Sequence, residues 1–321
     1  PTRPPHPRTP PRSRPPGPAP PARAVPVLLT SIGHATLLIE LSGVTLLTDP
    51  NFDDALGPLA IGSRLRRIAP PGIALDALPR LDAVLVTHAH VDHLSLASLA
   101  AIQARVPGVP VLAPPSVARW LEGRGVAGVR ALAPGESAVV PDLAGMGVVT
   151  VHAAAARHVG SRFGVDRWRA ESNMYLIDGT ETTAFFAGDT ALTPESHHLA
   201  ERVLHAAGRT LDVALLPIGH APAWKARSFR AGHLTAEDAL ELFERLAARW
   251  LVPYHWGTFN HLTSGAHDAV ERLRELIRGG VRGEGVRILE PGERWKVEGA
   301  SGGGASGGGG TGGASSGGAV G

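Results

Sequence analysis

Four side chains able to bind a metal ion fall within six consecutive positions: His88, His90, Asp92 and His93. The apolar run 82–87 precedes them and a helical pattern follows, so they occupy a loop at the end of a strand. On an extended segment, residues two apart project to the same side. His88 and His90 can therefore share one ion, while the turn into the helix swings Asp92 and His93 toward another. Imidazole and carboxylate together suit zinc, and also manganese or iron, all able to act as Lewis acids. A polar surface turn rich in histidine is the plain alternative. Three later strand ends count against it, because each carries a complementary group: Arg157-His158, Gly188-Asp189-Thr190 and Tyr254-His255-Trp256-Gly257. With no cysteine in the chain, disulfides and thiolate ligands are excluded.

Such a constellation needs a scaffold of strand ends. Short β-branched runs alternate with amphipathic stretches, which predicts an α/β architecture. Residues 27–32, 36–41 and 44–48 read as a meander, its second turn marked by Ser42 and Gly43. Further strands are expected at 82–87, 148–152, 174–177, 183–187, 213–216 and 250–253. Helical spacing covers 94–105 and 236–249, the second opened by a cap-like Thr235 and Asp238.

Residues 1–24 are rich in proline and arginine, and 299–321 are almost entirely glycine, serine and alanine. Both read as disordered segments flanking one folded domain at 25–298. The formal charge of +2 conceals an asymmetry: five arginines lie in the first 24 residues, leaving 26 basic against 29 acidic residues elsewhere, a net −3. A mildly acidic domain without a basic, aromatic-rich groove argues against a nucleic-acid partner. No apolar run approaches the roughly 18 to 20 residues that span a bilayer, and the first residues lack a secretory apolar core, so no stable membrane insertion is expected and cytoplasm is the expected location. The chain begins with Pro1 rather than Met, which leaves its true start open. Neither a phosphate-cradling loop nor a nucleophile elbow is present, which leaves serine-hydrolase chemistry unsupported.

From His88 to His93 the chain reads H-x-H-x-D-H, and in this it resembles the metallo-β-lactamase superfamily. Ile32-Gly33-His34-Ala35-Thr36, Thr48-Asp49-Pro50, Phe186-Ala187-Gly188-Asp189-Thr190, Leu216-Pro217-Ile218-Gly219 and His255-Trp256-Gly257-Thr258-Phe259 are similar to the branch that holds ascorbate-phosphate lactonase and N-acyl-phosphatidylethanolamine phospholipase D. The resemblance covers about residues 27–297. It implies a four-layer αββα sandwich of two mixed sheets flanked by helices. It also implies two divalent ions, zinc ahead of manganese or iron: His88, His90 and His158 on the first, Asp92, His93 and His255 on the second, and Asp189 bridging both.

His152 competes with His158 for the third-ligand role, but it lies in a strand that reads as buried and is taken as a core histidine. His233 matches a family histidine lining the pocket and is the candidate substrate contact or proton donor. Asp92 is the candidate for orienting the attacking hydroxide, and Asp49 for bracing a ligand from behind. His220, Trp224 and His261 are expected on loops at the pocket mouth. Burial explains His34 as well as function does, and His197 and His198 read as exposed helix residues. The implied activity is hydrolysis of a lactone or phosphoester in a small-molecule substrate by a hydroxide shared between the ions. Alternatives are a phospholipase D-like phosphodiesterase acting on a lipid headgroup, or a non-catalytic metal-binding sensor. Residues 169–173 and 223–229, where pocket walls are expected, differ from the commonest family forms. The oligomeric state is not legible.

Overall fold

The computed structural model describes residues 27–57, 65–145, 147–162, 171–260, 264–281 and 283–297. The expected disordered segments 1–24 and 299–321, together with His261, Arg169 and Ala170, lie outside the described residues.

The expected meander opens the chain as β1 (Val27–Gly33), β2 (Thr36–Leu41) and β3 (Val44–Thr48). Ser42 and Gly43 both take positive φ, 51° and 82°, as a two-residue hairpin with the right twist requires. A short ribbon of β4 (Ala55–Leu56) and β5 (Leu65–Arg66) follows. Next come β6 (Ala83–Leu85), α1 (Leu96–Arg105), β7 (Val111–Ala113), α2 (Pro115–Glu122) and β8 (Val129–Ala131). The second half runs β9 (Ser137–Pro141), β10 (Val148–Ala155), β11 (Asn173–Gly179), β12 (Thr183–Phe186), α3 (His198–Val203), β13 (Val213–Pro217), α4 (Ala226–Arg230), α5 (Ala236–Leu246) and β14 (Trp250–Tyr254). It closes with α6 (Asp268–Arg278) and β15 (Arg294–Val297).

Two mixed sheets result, ordered β15-β1-β2-β3-β6-β7-β8 and β14-β13-β12-β11-β10-β9. Leu29, Ile39, Leu46 and Leu85 of the first meet Val151, Tyr175, Phe186 and Val213 of the second in a shared core. Outside the first sheet, Leu99, Ile102, Val117 and Trp120 of α1 and α2 cover Leu38, Leu47, Val84 and Val111. Outside the second, Leu199, Leu242, Phe243, Val270 and Leu273 of α3, α5 and α6 cover Leu176, Phe185, Leu216 and Leu251. The architecture is the four-layer αββα sandwich that the resemblance implied. Central strands covered on both faces are apolar throughout, as β13 illustrates with five consecutive buried residues.

At three bounds that differ from expectation, local geometry accounts for the difference. β6 stops at Leu85, and the Thr87 N–H is taken by the Asp49 carboxylate instead of a neighbouring strand. α1 starts at Leu96 because the Ser95 hydroxyl accepts from Ser98 N–H and caps it. α5 ends at Leu246, where Ala247 turns left-handed. His152 is not a core residue: Val149, Val151 and Ala153 of β10 fill the inter-sheet core, so the alternation puts His152 on the outer face, half-buried near Asp178 and Arg202. His197 is also less exposed than expected; it is partly buried just before α3 and pairs with Glu201 at 3.1 Å, while His198 is exposed.

Candidate metal centre

Each grouped side chain follows the carboxyl end of a strand. His88 to His93 follow β6, His158 follows β10, Asp189 follows β12 and His255 follows β14. Glycines allow the close approach: a Cβ on Gly160 would meet the His88 Cβ at 2.6 Å, and Gly188 takes φ +58° against Thr87. The Tyr254 hydroxyl donates to Gly188 O at 2.6 Å and ties the Asp189 turn to the end of β14, two strands away in the sheet.

Two sets of four potential ligand atoms form, each within 4.8 Å: His88, His90, His158 and Asp189 in one, and His34, Asp92, His93 and His255 in the other; Asp49, His88 and His93 make a smaller set behind them, and His197, His198 and Glu201 another at the start of α3. His158 Nε2 lies 3.1 Å from His90 Nδ1. Asp189 Oδ2 stands between the sets, 4.0 Å from His158 Nε2 and 3.4 Å from both His93 Nε2 and His255 Nε2. Asp92 Oδ2 lies 3.7 Å from His255 Nε2 and 3.9 Å from His93 Nε2. All seven side chains read from the sequence as ligands are thus brought together, and His34, left undecided there, joins the second set.

This arrangement fits divalent cations. His88 Nε2, His93 Nε2 and Asp189 Oδ1 are buried without a hydrogen-bond partner among the described residues, a costly state for polar atoms unless something binds them. Hydrogen bonds behind the rings set their tautomers. His93 Nδ1 donates to Asp49 Oδ2 at 2.8 Å and His158 Nδ1 donates to Gly232 O at 2.7 Å, which turns both Nε2 atoms inward. His88 is held through Thr87, whose hydroxyl donates to Asp49 Oδ2 at 2.7 Å and accepts from His88 Nδ1 at 2.9 Å. Sequence reasoning found Asp49 but missed Thr87. A hydroxyl directly before the first histidine was the available signal.

Charge is divided between the sets. Burial keeps His88 well below the usual imidazole range, takes His158 down to about 4, and lowers His90 and His233. Burial would lower His93 and His255 too, but Asp189 outweighs it; His93 is held well above its ordinary value and His255 is raised to about 9. Against the burial penalty, facing histidines hold Asp92 and Asp189 well below the usual carboxylate range. Burial raises Asp49 despite the bonds it accepts.

His233 borders the cluster, with Nε2 3.8 Å from Asp189 Oδ2. Its ring stacks on Phe229 at 4.6 Å, and Nδ1 lies 3.3 Å from Phe229 O. His220 is partly buried and Trp224 is 73% exposed on the segment leading into α4.

A family model described as a beta-lactamase superfamily domain matches residues 45–256. An N-acyl-phosphatidylethanolamine-hydrolyzing phospholipase D of Caenorhabditis elegans is 27% identical over 278 residues, 84% of this chain and 75% of that protein. A metal-dependent hydrolase of Thermofilum pendens is 30% identical over 272 residues, covering 83% of this chain and 96% of the relative. A 32% identical protein of Mycobacterium tuberculosis is longer, and the chain spans 61% of its length. Among solved structures, a metallo hydrolase of Ignicoccus hospitalis superposes with a TM-score of 0.60 at 24% identity, over 85% of this chain and 99% of the other.

Proposed function

Because the chain belongs to the β-lactamase superfamily and is a metal-dependent hydrolase, we propose that it uses two divalent ions, zinc ahead of manganese or iron, to hydrolyse a lactone or phosphoester bond in a small substrate. The observation that carries this reading is the position of the Asp189 carboxylate, within 4.0 Å of His158 on one side and 3.4 Å of His93 and His255 on the other. His88, His90 and His158 would hold one ion, Asp92, His93 and His255 the second, and Asp189 both. When bound, the ions would supply Lewis acidity, polarising the electrophile and bringing the pKa of a water toward the neutral range.

The remaining steps fall to the chain's own groups. Asp92, with 22% of its side chain exposed, is the most open carboxylate of the cluster and accepts a hydrogen bond from the attacking water. His233 is kept neutral by burial, and its Nδ1 faces Phe229 O, so Nε2 offers a lone pair to the site. It takes the proton of the attacking water and returns it to the leaving oxygen, which matches the order in which charge develops.

A second reading, a phosphodiester at a lipid headgroup, is favoured by the phospholipase D relative and by exposed Trp224 beside Lys225 and Arg227. A small substrate is preferred because α4, the helix nearest Trp224, spans only five residues, little for an amphipathic helix that would lie on a membrane. Metal analysis of the purified protein with a panel of lactones, phosphomonoesters, phosphodiesters and thioesters separates the readings. His88→Ala and Asp189→Asn are each expected to lose bound metal and at least about 10²-fold in activity, since even groups behind the ligands are worth 10–100-fold. Wild-type turnover in both variants would end the proposal.

A further inference from the structure

We propose that His34 is a positioning residue for the second ion, fixing both Asp92 and His255; this rests on the reading of the site as a two-ion centre. His34 stands at the tip of the turn joining β1 to β2, with φ +55°. Glycine or asparagine adopts that conformation with least strain, and a histidine held there points to a use for its ring.

The surroundings supply the use. His34 Nε2 lies 3.0 Å from Asp92 Oδ2, and the side chain is 2% exposed. Its ring centroid is 3.9 Å from that of His255, and its carbonyl accepts the His255 N–H at 3.1 Å. Two of the second ion's three terminal ligands are therefore held by one residue, one by a ring nitrogen and the other by ring contact and backbone. His255 itself has φ +70°, so the two left-handed residues brace each other across the turn. Thr258 completes the clamp, its hydroxyl accepting the His34 N–H at 2.6 Å.

His34 Nδ1 is buried without a hydrogen-bond partner among the described residues. A neutral ring with its proton on Nε2 spends that proton on Asp92 and leaves the bare Nδ1 at no donor's cost, the cheaper tautomer for a buried imidazole. So arranged, His34 donates to a ligand and does not itself ligate.

Stepwise metal affinities measured with a competing chelator test this. In His34→Asn, asparagine keeps the left-handed backbone but is too short to reach Asp92; in Thr258→Val, the ring stays and its backbone anchor is lost. His34→Asn is expected to weaken one of the two ions about 10- to 100-fold and leave the other unchanged, with Thr258→Val following in the same direction to a smaller extent. His34→Gln, which restores a donor, should recover part of the loss. Melting of the chelated proteins verifies that each variant folds. Cobalt(II) spectra of loaded wild type and His34→Gln should superimpose in band position, whereas a large shift would make His34 a ligand and overturn the assignment. Folded His34→Asn and Thr258→Val that bind both ions as tightly as wild type would also overturn it. If the wild type itself binds fewer than two ions, the two-ion reading falls, and this inference falls with it.

Discussion

Asp49 reaches both ligand sets from one buried position, directly to His93 and through the Thr87 hydroxyl to His88. Removing the relay and removing its source should therefore differ. Thr87→Val is expected to weaken one ion by about 10- to 100-fold and Asp49→Asn both, read as stepwise affinities; equal effects from the two variants would refute the relay. Protonation adds a second test on chelated protein. Histidines with lowered values, among them His34 at about 3 and His158 at about 4, stay neutral in the fold while the unfolded chain takes up protons below about pH 6.5, so stability falls as the medium becomes acidic. His93 and His255 are raised; their contribution is complete below about pH 6.5 and is lost as pH climbs through the folded value, about 9 for His255. The metal-free protein should melt highest near pH 6.5 and lower on either side, and a melting temperature that keeps rising to pH 9 would contradict this. The meeting of the seven donor side chains was legible because they recur at strand ends. Thr87 and His34 were not, since a hydroxyl or a buried imidazole has too many ordinary roles to stand out before its neighbours are known.

At the scale of elements, the proposed proton carrier depends on α4. A Cβ added to Gly219 would lie 2.2 Å from the Phe229 ring, and Phe229 is the residue on which His233 stacks. Gly219→Ala should displace α4 and lower turnover roughly 10- to 100-fold, the scale of a 1 Å misplacement. Bound metal should remain at wild-type level, and loss of metal would show that α4 supports the ions instead. The helix after His233 is pinned by a full capping box, Thr235 and Asp238 each bonding the other's backbone. Thr235→Ala is expected to cost about 1 kcal/mol, a drop in melting temperature of about 2–4 °C. That cap was readable from the sequence, as were the apolar strands of the meander. The ends of α1 and α5 were not, because Ser95 and the left-handed Ala247 act through local geometry that periodicity does not record.

Considered whole, the molecule divides the proposed ligands between layers. His88, His90, Asp92 and His93 extend from the first sheet, and His158, Asp189 and His255 from the second. Ions bound between them would stabilise the sandwich by roughly 2.7 kcal/mol per site at a hundredfold excess over the dissociation constant, and chelation should lower melting by roughly 5–10 °C per site. A melting temperature indifferent to chelator would argue that the fold binds no ion at this centre. The α/β class was visible in the alternation of strand and helix and the four layers only through the family resemblance, whereas the pairing of β15 with β1 was not visible, since it joins residues at opposite ends of the described chain. That division between layers also orders events during synthesis. About 160 residues separate His93 from His255, which at roughly 5–20 residues per second amounts to about 8–30 s on the ribosome. Within it the first set is complete once Asp189 has emerged and the second only with His255, so metal capture belongs to the later part of the chain and not to its beginning.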